Sequence, residues 1–132
     1  MFGNTQLMGV DTGFPDVCLT PAPPAPAPVP IPYPNITAGP TGVSQVPHVM
    51  FMCTPVHTMT TNIPQTNGDN AGVAMGVASG TVMMKGSHLT AAFTVLGGAM
   101  PITKLTSVSL QNSTNCPGAR AVPSQVKVVL LK

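Results

Sequence analysis

The sequence has 132 residues, of which 16 are proline, 13 are glycine and only 8 are charged at neutral pH. It contains no Glu, and strong helix formers are so scarce that a helical bundle is excluded. The net charge of +2 comes without a basic run, which excludes a nucleic-acid-binding surface. Since 43% of the residues are apolar, disorder driven by charge is also excluded. We therefore predict one all-β domain spanning residues 1–132.

Residues 1–20 form an N-terminal turn segment without the basic and apolar regions of a signal peptide. We therefore expect synthesis in the cytoplasm without such a signal. The three cysteines, Cys18, Cys53 and Cys116, are an odd number at wide spacing, which does not indicate a disulfide framework.

Residues 21–34 read PAPPAPAPVPIPYP and contain eight prolines. Proline fixes φ near −65° and lacks an N–H donor, so this tract is predicted to be an extended polyproline II segment. Such a segment can bind SH3-like or WW-like grooves, which makes a proline-rich adaptor the alternative function. The tract lacks the flanking Arg or Lys that often orients these ligands.

After residue 43, apolar runs separated by polar turns predict β-strands at 43–53, 73–84, 89–96, 102–110 and 126–131. A shift of 46 residues aligns residues 47–86 with residues 93–132 without a gap. The alignment places Pro55 on Pro101 and Gly72 on Gly118. We interpret these segments as an internal two-fold repeat. Because one copy cannot bury its apolar face alone, the two copies are expected to pack on each other.

Several strings make the chain resemble a known family. Residues 14–21 read FPDVCLTP, residues 30–35 read PIPYPN, and residues 121–128 read AVPSQVKV. Together with the turns at 67–72 and 115–118, they resemble the PAAR-like spike-tip proteins of type VI secretion systems. The resemblance covers nearly the whole chain.

The resemblance implies a short, β-helix-like cone with the proline-rich segment wrapped along its wall and Tyr33 as an anchor. Its base is expected to cap a trimeric VgrG-type spike protein, one copy per trimer, in a type VI or related contractile injection apparatus. The chain would be exported at the tip of the apparatus, contact the target membrane transiently, and carry an effector or its adaptor. The near absence of charge suits this role, because an unpaired charge is costly in hydrocarbon.

The C-terminal run is the candidate for the base that meets the spike protein. Its apolar residues would complete the sheet or core of the partner, the alternative being an ordinary core strand. The partner-binding residues predicted in this way are Val126, Val128, Val129, Leu130 and Leu131.

The resemblance also implies one zinc ion, which PAAR proteins hold at the tip with three His and one Cys. Here the polar loops predicted for that end, residues 61–72 and 107–118, contain no His. We therefore predict Cys18, Cys116 and His57 as the candidate zinc ligands.

No catalytic residue is predicted. Three Asp and no Glu leave few carboxylates for paired acid–base chemistry. The glycine-rich turn at 68–72 lacks the Lys and Ser or Thr of a phosphate-binding loop. The sequence is therefore predicted to be non-catalytic.

Overall fold

The structure is a computed structural model that describes residues 1–24 and 26–131. In this part of the chain it has ten β-strands, one 3-10 turn at Gly39–Thr41 and no α-helix. The strands are β1 (Val10–Thr20), β2 (Val29–Ala38), β3 (Val46–Phe51), β4 (Thr54–Val56), β5 (Asn62–Ile63), β6 (Gly86–His88), β7 (Ala92–Gly97), β8 (Met100–Ile102), β9 (Val108–Gln111) and β10 (Cys116–Val122). The prediction of an all-β fold is confirmed.

Six strands form one antiparallel sheet in the order β2-β1-β10-β9-β6-β5. The long strand β1 begins where Val10 pairs with Val122 and ends at Thr20. Ten steps of an extended chain span about 30 Å, so the two ends of this strand lie far apart. None of the residues that the structure describes forms a helix able to span a bilayer.

The proline tract is largely a paired strand. Residues 29–34 belong to β2 and pair with β1, whereas residues 21–24 and 26–28 lie in the loop between these strands; Ala25 is outside the described residues. Pro30, Pro32 and Pro34 alternate, so their missing N–H groups all fall on the outer side of this edge strand. The polyproline prediction is therefore wrong for residues 29–34, where the alternation lets the other residues donate to β1.

Two β-hairpins stand apart from the large sheet and are related by the shift of 46 residues. In the first, β3 pairs with β4 through Met50–Pro55 and Phe51–Thr54. In the second, β7 pairs with β8 through Leu96–Pro101 and Gly97–Met100.

A third pair of segments with the same arrangement is built from the two ends of the chain. Phe2 forms a β-bridge with Val129, and the N–H of Leu130 donates to the carbonyl of Met1 over 2.6 Å. The prediction of a strand at residues 126–131 is wrong, because these residues form a single isolated β-bridge, the one between Phe2 and Val129. The side chain of Gln125 accepts from the N–H groups of Lys127 and Val128, which a ladder would otherwise use.

The predicted strand at residues 73–84 is a series of turns with one bridge, between Cys18 and Gly76. Met75 and Met83 adopt positive φ angles of 76° and 53°, and Gly80 does so at 67°. Left-handed residues at this density break the alternation that a strand requires, so this prediction is wrong.

The hydrophobic core is small and lies among the three hairpin-like units. Each unit contributes apolar side chains that are more than nine-tenths buried. They are Val46 and Val56, Ala92 and Ile102, and Leu130.

Candidate functional site

Three backbone segments, residues 2–6, 55–59 and 101–105, meet beneath the hairpins and bond to one another in a closed cycle. The N–H of Asn4 donates to the carbonyl of Thr103 over 2.9 Å, Thr103 donates to His57 over 3.0 Å, and His57 donates to Asn4 over 2.9 Å. Asn4, His57 and Thr103 are each the third residue of their segment, so they occupy equivalent positions although 53 and 46 residues separate them.

A second cycle has the same spacing. The N–H of Gln6 donates to the carbonyl of Pro55, Met59 donates to Pro101, and Leu105 donates to Phe2, over 2.9, 3.1 and 2.7 Å. Both cycles join equivalent positions of the same three segments. The backbone of this single chain therefore has approximate three-fold symmetry here. We call this region, with its three hairpin-like units, the hairpin end.

Apolar side chains are exposed at equivalent positions of the hairpin end. Met50, Leu96 and Val129 each occupy the position opposite Pro55, Pro101 or Phe2, and they are 58%, 62% and 49% exposed. The burial pattern of the five residues ending at each of them is the same in all three units.

The predicted partner-binding residues divide between the surface and the core. Val126, Val129 and Leu131 are exposed and Val128 is half-buried, whereas Leu130 packs among the core residues. The side chain of Leu130 therefore packs in the core of the hairpin end and is not part of its surface.

His57, a predicted zinc ligand, lies in the first backbone cycle. Its ring is fully buried, and Nε2 lies 2.6 Å from Oε1 of Gln6. Burial, together with the charges of Arg120 and His88, lowers the pKa of His57 to about 3. This imidazole is a neutral structural group at neutral pH.

A different cluster lies toward the far end of β1. We call this region the loop end; it comprises residues 21–24 and 26–28, the turns at 67–84 and the turn before β10. Asp16, Cys18 and Asp69 are fully buried there and place one ligand atom each within 4.8 Å of the others. Asp16 and Cys18 are two positions apart on β1 and share a face, while Asp69 comes from the loop after β5. Within residues 1–24 and 26–131, this is the sole group of three potential metal ligands.

Asparagine amides surround the two carboxylates. Nδ2 of Asn112 donates to Asp16 over 3.3 Å and to Asp69 over 2.9 Å, and Nδ2 of Asn35 donates to Asp16 over 2.5 Å. Asn115 also donates to Asp16. Oδ1 of Asp69 is buried and has no hydrogen-bond partner.

The two carboxylates of the cluster make its electrostatic potential negative. Burial, together with the hydrogen bonds and charges of Asp16 and Asp69, raises the pKa of Cys18 to about 12. Burial also raises the pKa of Asp69, and the nearby charge of Asp16 acts in the same direction. Both ion pairs among the described residues involve Asp11 instead, which contacts Arg120 and lies 3.6 Å from His88. The group can therefore hold a proton or a cation.

Cys116 is buried next to this cluster, and its Sγ lies 3.5 Å from the carbonyl oxygen of Pro117. Burial, followed by the charges of Asp16 and Asp69, raises the pKa of this thiol to about 12. Cys116 is therefore a neutral thiol beside the triad.

The chain matches the family described as Toxin PAAR-like domain over residues 9–118, more than four fifths of its length. It belongs to this family. The predicted resemblance to PAAR-like proteins is confirmed. The matched residues include Asp16, Cys18 and Asp69. No match was found among curated proteins or among solved structures.

Sequence reasoning selected Cys18 of this PAAR-like domain but missed Asp16 and Asp69. The signal for Asp16 was its spacing of two residues from Cys18, which places both side chains on one face of an extended chain. The prediction of a turn segment for residues 1–20 hid this signal and is wrong for residues 10–20, which form β1. Asp69 had no comparable signal, because its approach depends on how the loop after β5 folds back onto β1.

Proposed function

We propose that this PAAR-like domain caps the blunt end of a trimeric VgrG-type spike protein in a type VI secretion or related contractile injection apparatus, with one copy per trimer. The observation that carries this proposal is the pair of three-fold backbone cycles at the hairpin end. A symmetric trimer presents three equal edges, and one chain can meet all three alike if its own contact surface is repeated three times.

The side chains of the hairpin end support docking. The exposed apolar positions Met50, Leu96 and Val129 occur once in each unit, so each can face one protomer of the trimer. Apolar side chains in a repeated pattern are typical of a surface that a partner covers. The exposed residues Val126 and Leu131 extend the contact beside Val129.

The opposite end fits passage into a membrane. All three Asp of the chain are buried, and the described residues of the 21–28 loop are proline and alanine. Val73, Met75 and Val77 expose about half or more of their side chains in the adjoining turns. Lys85 is exposed beside these turns, where its carbonyl accepts from the N–H of Ser113. A surface that is largely apolar and carries few charges enters hydrocarbon at lower cost than a highly charged one. In this role the chain is a non-catalytic tip that aids membrane puncture and effector delivery.

The adaptor function is not supported. Residues 29–34 are hydrogen-bonded into the sheet through β2, so they are not available as a free polyproline helix.

The test is the mass of the complex formed with a cognate VgrG-type spike trimer. We expect one copy per trimer, whereas three copies or no complex would contradict the proposal. Met50→Glu, Leu96→Glu and Val129→Glu should each weaken binding by about tenfold or more, since each places an uncompensated charge in an apolar contact. Phe14→Glu, at a side chain 63% exposed on β1, is the matched control and should bind normally.

A further inference from the structure

We propose that each protomer of the spike trimer presents one carboxylate side chain to the hairpin end, where the three copies pair with His48, Thr94 and Lys127. This inference rests on the proposed docking and adds the chemistry of the partner's surface. Its basis is the register of the three hairpin-like units, which places these three residues at one equivalent position.

His48, Thr94 and Lys127 each lie two residues before the exposed apolar residue of their unit. All three are exposed, and the valine between the two positions is half-buried in every unit. Two of these valines, Val49 and Val95, pack against the hydrophobic core. The three polar residues therefore lie with the exposed apolar residues on the side of the hairpin end that a docked partner would cover.

The ring of His48 lies at a junction between two units. A Cβ at Gly98, in the turn of the second unit, would lie 3.5 Å from Cε1 of His48 and 3.0 Å from a methyl carbon of Val46. This polar position is therefore flanked by the neighbouring unit. A polar group that a partner covers there loses its contact with water, so it needs a hydrogen-bond partner in the complex.

The three side chains share one chemical property, which is that each can donate a hydrogen bond. The ammonium of Lys127 has donors only, the hydroxyl of Thr94 donates one proton, and the imidazole of His48 carries an N–H in either tautomer. A symmetric trimer presents the same group to all three residues. An acceptor matches all of them, whereas a group with donors only would leave the ammonium of Lys127 without a partner.

Charge narrows this acceptor to a carboxylate. Both ion pairs among the described residues involve Asp11, so the ammonium of Lys127 has no ionic partner in this part of the chain. All three Asp are buried and the sequence has no Glu, so no acidic side chain of this chain is exposed to pair with it. Covering an unpaired ammonium is costly, and a carboxylate of the partner offsets that cost.

The experiment measures the Kd of the full chain for a cognate VgrG-type spike trimer at low and at high salt. Lys127→Met removes the charge and keeps most of the side chain, so it should raise the Kd about tenfold and make it less dependent on salt. Thr94→Val removes one donor at nearly constant volume and should raise the Kd about threefold. Lys85→Met, at an exposed lysine beside the loop end, is the matched control and should bind like the wild type.

A double-mutant cycle identifies the partner's carboxylate. Each acidic residue at the blunt end of the spike protomer is changed to its amide, and one of these changes should be non-additive with Lys127→Met. Strict additivity at every acidic position would overturn the carboxylate inference and leave the docking intact, as would normal binding by both Lys127→Met and Thr94→Val. A wild-type chain that forms no complex would contradict the proposed docking and this inference together.

Discussion

The N–H of Leu130 donates to the carbonyl of Met1 over 2.6 Å, and the amino group of Met1 donates back to the carbonyl of Leu130 over 3.0 Å. This reciprocal pair joins residues 129 positions apart. Phe51 with Thr54, and Gly97 with Met100, occupy the same register in the two continuous hairpins. The ends of the chain therefore replace the two-residue turn that closes each of the other units.

A circular permutant follows from this equivalence. Joining residue 132 to residue 1 through a short Gly-containing linker and opening the chain between Met52 and Cys53 should preserve the fold. In the permuted chain a new turn closes the unit formed by the chain ends, and the equivalent turn at Met52 and Cys53 is opened. Thermal unfolding should occur within a few degrees of the parent, and a permutant that does not fold would contradict the three-fold arrangement. Opening the chain within β1, between Cys18 and Leu19, is the control expected to fail.

Leu130 is expected to matter for stability rather than for partner contact. It is 6% exposed and packs in the core with Ile102 and Val56. Leu130→Ala should lower the free energy of unfolding by about 2–5 kcal/mol, because it leaves a cavity. Val126→Ala, at a position 64% exposed, should change it by less than about 0.5 kcal/mol. Chemical denaturation measures both, and equal effects would place Leu130 outside the core.

The buried ion pair gives a third prediction. Asp11 and Arg120 are 2% and 1% exposed, and the guanidinium packs against Gly9 and Gly39, where a Cβ would collide with Nη1. Asp11→Ala should destabilise the chain by about 3–5 kcal/mol, since it leaves a buried cation unpaired. Replacing both residues with Leu and Met should cost less than this single change. A double-mutant cycle by denaturation checks the coupling, and strict additivity would contradict it.

Glycines 72 and 80 lie in the same turns but should respond differently to alanine. A Cβ at Gly72 would overlap the Cβ of Cys18, whereas a Cβ at Gly80 meets no atom within 4 Å. Gly80→Ala should cost about 1–2 kcal/mol, from its φ of 67° alone. Gly72→Ala must also displace β1 and should cost more. Thermal unfolding of the two variants compares these effects, and a milder effect at Gly72 would contradict the close approach to Cys18.

Stability should fall as the pH drops from about 6.5 toward 3. Burial, Arg120 and His88 lower the pKa of His57 to about 3, and burial also lowers the pKa of His88, although Asp11 acts in the opposite direction. The unfolded chain binds these protons first, so the contribution is fully present above pH 6.5 and is lost on acidification, by at most about 1.4 kcal/mol per pH unit for each His.

Denaturation between pH 7.5 and 4 checks this dependence. His57→Gln should reduce the slope of stability against pH, whatever its effect at neutral pH. An unchanged slope in His57→Gln would show that His57 is not the group responsible.

Much of the fold followed from residue patterns with local physical causes. The apolar runs, with Pro55 aligned on Pro101, predicted two β-rich segments 46 residues apart, and the structure forms a hairpin in each of them. Residues 73–84 misled the prediction, because their apolar content resembles a strand while the glycines and left-handed residues favour turns. Residues 126–131 misled it for another reason, since the side chain of Gln125 takes backbone donors from the ladder.

The sequence by itself determined the composition-dependent properties of this PAAR-like domain: its all-β class, its family and its nearly uncharged character. These depend on residue types and short spacings, which act locally along the chain. Tertiary structure alone decided which distant residues meet. The third unit of the hairpin end joins Met1 to Leu130, and the loop end brings Asp69 to Cys18. Such contacts depend on the closure of long loops by the whole fold, and no local pattern records them.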